Sequence, residues 1–181
     1  MNAVDHFGMQ SVDAIKHLVV ANRYVQALIV LYSAIDTLAW ASLESGDVTR
    51  SDFCRWVDAY MLPEKLIGCT AQDIYAARCA IVHSGATESK MSREGLVSEL
   101  WYVTSAHSAN DLQLYARKVG ADAKVVHFTA LVAAFTEGVM NFSDQLTTDP
   151  DLERICVERI KRWLRFLTMA SDMQGDDHSN I

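Results

Sequence analysis

The stretch Tyr24 to Leu43, YVQALIVLYSAIDTLAWASL, restricts the fold of this chain more than any other. It is long and apolar enough to cross a bilayer, which takes about 20 residues, yet Asp36 lies well inside it. A carboxylate at that depth costs roughly 2.5 to 3.5 kcal/mol on insertion scales, and no second apolar segment supports a membrane protein. The segment therefore reads as the central buried helix of a helical bundle. Apolar positions Leu18, Val25, Tyr32 and Ala39 recur every seven residues, with Leu28, Ile35 and Ser42 between them. That seam predicts one long helix from about Ser11 or Asp13 to Ser45, with a bend near Asn22 and Gly46 as its stop.

Ser51 is an N-cap candidate for a second helix whose Phe53, Trp56, Val57, Tyr60 and Met61 share a face, with Pro63 at its end. Thr70 opens a third helix, where Asp73 stands in the capping-box position and Ser84-Gly85 closes the helix just after His83. Residues 86–94 are polar and read as a loop. Beyond them, Leu100 to Val103 and Lys124 to Phe128 are β-branched and aromatic enough for short strands. A hairpin turning around Asn110 to Lys118 joins them in this reading, although the second run also suits the first turn of the next helix. Leu131 to Leu146 is an amphipathic helix, and Pro150 starts a last helix of roughly five turns. The expectation is an all-α fold, a bundle of about five helices with a small β-hairpin insertion around residues 99–128. It forms one domain over residues 1–181, with a frayed tail at about 173–181.

A chain of 181 residues, 50% hydrophobic and 22% charged, suits one globular domain with a substantial core. The net charge of −7 opposes unspecific attraction to nucleic acid, so any RNA contact has to be local. The four cysteines form no CxxC pair, and His17, His107 and His127 have no ligand at metal spacing. Reduced thiols, a cytoplasmic location, no metal and no cofactor are expected. The opening MNAVDHFGMQ has no signal-peptide pattern. Phosphate-binding loops, GxGxxG, GxSxG and HExxH are all missing, which removes the usual nucleotide-binding, serine-hydrolase and zinc-protease signatures.

The polar residues inside apolar helices are then the informative ones. DIYAARCAIVHSG carries Arg78 and His83, an Arg-x4-His pair that composition alone produces about once in such a chain. Position supplies more. His83 falls in the last helical turn, where the carbonyl end of the macrodipole favours imidazolium and a proton shuttle near neutral pH. Asp36 inside a bundle needs a cation, and Arg78 is its expected partner, with the two helices facing each other. The basic run Arg154, Arg159, Lys161, Arg162 and Arg165 reads as a solvated face, and Trp40, Trp56, Trp101 and Trp163 as core or interface anchors.

The strings LYSAIDTLAW, SDFCRWVDAYM and DIYAARCAIVHSG together resemble the HEPN superfamily of helical domains, over about residues 10–85. Active members of that superfamily are metal-independent endoribonucleases, often dimeric, in which the Arg and His converge on the scissile phosphate. The resemblance implies that Arg78 stabilises the phosphorane and His83 acts as general base or acid, in a homodimer that cleaves RNA. It also implies a toxin or phage-defence setting with a separately encoded partner protein. Cys79 departs from the pattern, because the position after the Arg is commonly polar in active members. Two alternatives stay open: a catalytically inactive module binding a protein or RNA, and a small-molecule-binding bundle anchored on Asp36 and Arg78.

Overall fold

In the computed structural model the described residues are 3–62, 67–86, 88–104 and 108–163. Helix α1 spans Ala3–Val20 and α2 Tyr24–Ala41. α3, Arg50–Trp56, runs on into a π-helical turn at Val57–Met61. α4 follows at Ala71–Ser84, then the short α5 at Lys90–Arg93, strand β1 at Glu99–Val103, α6 at Ala109–Lys118 and β2 at Ala123–His127. α7, Phe128–Thr148, and α8, Pro150–Trp163, complete the order. The fold is mainly helical, as expected, but the described residues hold eight α-helices where about five were anticipated. Pro63, His107, Arg165 and the 173–181 tail, for which the sequence carries expectations, lie outside the described residues.

The single long helix predicted from the heptad seam is two helices. Asn22 adopts φ +56°, a left-handed conformation that Asn tolerates better than most residues, and the Arg23 amide donates to the Leu18 carbonyl at 2.8 Å. The chain reverses there, so α1 and α2 pack side by side as a helical hairpin. Within α2 the seam survives: Leu28, Tyr32, Ile35 and Ala39 are buried, whereas Val25, beside the break, is 54% exposed. Among the described residues α2 is the one helix long and apolar enough to cross a membrane, and half of that window is buried inside the protein.

The strands occur close to where the sequence places them, but the hairpin does not. β1 and β2 are parallel, in register from Glu99 opposite Ala123 to Val103 opposite His127. Parallel neighbours cannot be joined by a tight turn, and the segment read as that turn is the crossover helix α6, capped by the Ser108 side chain. Both readings of residues 124–128 are realised, since β2 ends at His127 and α7 starts at Phe128. The 86–94 loop likewise contains α5, capped by Ser89.

The core gathers around α2, with Tyr32, Phe53, Phe128, Phe135 and Phe142 fully buried. A hydrogen bond between the Tyr32 and Tyr102 hydroxyls ties α2 to β1, and Lys124 of β2 reaches Asp73 of α4 at 2.7 Å. α7 packs closely on the π-helical turn at Gly138. A Cβ there would stand 2.7 Å from Met61 Cγ and 3.3 Å from Met61 Cα. Alanine normally gains about 1 kcal/mol over glycine inside a helix. Here overpacking against backbone outweighs that gain, and Gly138→Ala is expected to destabilise by about 1 to 2 kcal/mol, read as a lower midpoint in urea.

Candidate functional site

The two ends of α4 are set by local chemistry. At its start, the Thr70 hydroxyl accepts from the Asp73 amide while Asp73 accepts from the Thr70 amide, the capping box expected from the sequence. At its end, Gly85 takes φ +62°, and the Gly85 and Ala86 amides donate to the Ile81 and Ala80 carbonyls. This left-handed closure ends the helix one residue beyond His83. The His83 backbone therefore sits in the last turn of α4; its side chain lies outside the described residues.

Arg78, one and a half turns earlier, faces α2. Its Nε and Nη2 both donate to Asp36 Oδ2, each at 2.6 Å. Asp36 and Arg78 are thus brought together as expected. Burial alone would lower the guanidinium pKa, but the hydrogen bond and charge of Asp36 outweigh it and hold Arg78 above its ordinary value. Nη1 lies 3.9 Å from Cys79 Sγ, so the cysteine that follows the arginine is its neighbour in space too. Burial pushes the Tyr75 phenol up, and the adjacent Cys79 adds to the effect.

The pair is not sealed in the core. The Arg78 and Asp36 side chains are 20% and 21% exposed, and they line an open cleft of about 370 Å³ with Thr37, Trp40 and Val48. No protein-family model, curated protein or solved structure matches this chain. The site must therefore be judged on its own chemistry. That chemistry is a guanidinium held by a carboxylate at a solvent-open wall, near the carbonyl end of a helix that carries a histidine.

Thr37, Trp40, Val48 and Arg159 were not singled out as site residues from the sequence. Trp40 had a usable signal, being four residues after Asp36 and hence on the same stripe of α2. Arg159 had none: it is 8% exposed, lies 4.1 Å from the Trp40 ring centroid, and donates to the Trp40 and Gly46 carbonyls at 3.3 and 2.7 Å. Only α8 packing against the end of α2 brings it there. One residue of the basic run is thus part of the interior, while Arg154, Lys161 and Arg162 are exposed. Among the described residues no group of three or more His, Cys, Asp or Glu side chains is placed to hold a metal ion. A larger groove, about 890 Å³, runs between α1 and α7 past Val20, Val132 and Met140, well apart from Arg78 in sequence and lining.

Proposed function

We propose that this chain is a HEPN-like, metal-independent endoribonuclease that acts as a homodimer. The observation that carries the reading is Arg78, clamped by Asp36 yet lining an open cleft, five residues before a histidine at the end of the same helix. A guanidinium so held is pre-organised for an anion, and such electrostatic pre-organisation is a major source of catalysis at phosphorus. In this reading the RNA 2′-hydroxyl attacks the adjacent phosphate, and Arg78 stabilises the equatorial charge of the phosphorane. His83 takes the hydroxyl proton, or delivers one to the departing 5′-oxygen, and a second copy supplies the opposite transfer. The products are a 2′,3′-cyclic phosphate and a 5′-hydroxyl. The resemblance that suggests this chemistry also suggests a cytoplasmic toxin or phage-defence effector with a separately encoded partner.

A second reading, an inactive helical module that binds a partner protein or RNA, draws on one observation. Two Arg78 N–H groups are spent on Asp36, and the next residue is Cys79 where a polar group is commonly found. The test is RNA cleavage by purified protein in EDTA, comparing wild type with Arg78→Ala and His83→Ala. Cyclic-phosphate products from wild type alone support the enzyme. Equal cleavage by all three, or none by any, rejects it in favour of the module.

A further inference from the structure

We infer that Trp40 is the platform on which the nucleobase next to the bound phosphate stacks, so that the Arg78 cleft takes a single-stranded nucleotide as a base and a phosphate together. This deepens the ribonuclease reading and rests on it for the identity of the ligand. Asp36 and Trp40 are one helical turn apart on α2, and both line the cleft with Arg78 across from them on α4. A cation for phosphate and an indole for a base thus share one opening.

The indole is held as a platform should be. Arg159 covers one side of the ring at 4.1 Å and is itself fixed by the Trp40 and Gly46 carbonyls. Trp40 is half-buried against the core and still lines the cleft, whereas Arg159 does not. A ring braced in this way loses little further freedom when a base stacks on it, which is the advantage of a pre-organised site. The Thr37 hydroxyl at the rim donates to the Ser33 carbonyl at 2.9 Å, leaving its lone pairs toward acceptance from a base amine or water. A volume of about 370 Å³ lies at the small end of ligand pockets, which run from roughly 300 to 1,000 Å³, and suits one base better than a larger cofactor. Stacking is also the attraction available to a chain of net charge −7, because it does not rely on a basic field.

The probes are adenosine 5′-monophosphate and ribose 5-phosphate, titrated into the full chain and followed by proton NMR. The expected result is an upfield shift of the adenine protons, with nuclear Overhauser contacts from them to the Trp40 indole. Ribose 5-phosphate binds about tenfold more weakly. Trp40→Leu weakens adenosine monophosphate about tenfold without changing ribose 5-phosphate, and Trp40→Phe restores it. Equal affinity for the two probes, or adenine contacts to residues other than Trp40, overturns the inference, and that readout on wild-type protein holds even if Trp40→Leu fails to fold. RNA cleavage is scored separately. Lost base contacts with intact cleavage remove the platform alone, whereas intact base contacts without cleavage remove the ribonuclease reading and leave the platform standing.

Discussion

On the proposed ribonuclease reading, Arg78→Ala is expected to lower RNA cleavage by about 10² to 10³-fold while the protein stays folded, the usual cost of removing one donor from a charge-stabilising site. The two halves of that expectation have different origins. The Arg78–Asp36 pair is about one-fifth exposed on both sides, so water replaces only part of what the guanidinium supplies to Asp36. Such a partly buried pair falls between an exposed one, worth about 1 kcal/mol or less, and a fully buried one, whose breaking costs about 3 to 5 kcal/mol, so a stability loss of about 1 to 3 kcal/mol is expected. The catalytic loss has no such substitute, because water cannot hold a fixed cation at the developing phosphorane. Arg78→Lys is expected to restore little. An ammonium is a compact point charge without the rigid planar fork whose Nε and Nη2 hold Asp36, so it does not keep a further N–H group fixed toward a phosphate. The checks are single-turnover cleavage rates and urea midpoints measured on the same preparations. A midpoint that fell in step with activity would show that the pair is a structural clamp and that the loss comes from unfolding.

Apart from the Asp36–Arg78 pairing, the parts of this molecule that were legible beforehand share a cause, which is that their determinants lie close together in the chain. The Thr70–Asp73 capping box and the Gly85 stop are each written within four residues, and both ends of α4 follow. The Asp36–Arg78 pairing was also expected, from the cost of leaving a carboxylate uncompensated inside an apolar helix. Other features escaped for physical reasons. The heptad seam runs through residues 21–23 without interruption, so periodicity alone gives no sign that Asn22 turns left-handed and splits the helix. ANDLQLYARK exposes Leu114 and Tyr115 on the surface, and its Asn-Asp start resembles a turn, which hid the crossover helix α6. Strand patterns report burial, not direction, and so a parallel pair was read as a hairpin. Trp40 and Arg159 are 119 positions apart, and nothing local to either announces the contact.

Asp73→Asn carries the largest expected effect on the fold, and it bears on the site because Asp73 fixes the helix that presents Arg78. Its side chain is 2% exposed, yet one oxygen, Oδ2, accepts from the Thr70 amide at 2.8 Å, the Thr70 hydroxyl at 2.7 Å and Lys124 Nζ at 2.7 Å. Burial pushes this carboxyl up, but the bonds from Lys124 and Thr70 outweigh it and hold the pKa below the usual carboxylate value. A group whose folded pKa is depressed contributes stability that is fully present above its unfolded pKa, about 3.9, and is lost as pH falls through the folded value. The amide keeps the shape but removes the charge, weakening the α4 cap and separating the Lys124 ammonium of β2 from its carboxylate. A cap is worth about 1 kcal/mol and a charged hydrogen bond about 1.5 to 3 kcal/mol, so a loss near 3 kcal/mol at neutral pH is expected. The gap between wild type and Asp73→Asn should then hold steady from pH 7 down to about 5 and shrink below about pH 4. Urea unfolding across that range measures it. A gap that persisted unchanged into strong acid would mean that Asp73 acts through shape and not through charge, and that the tie between β2 and α4 is not the ion pair.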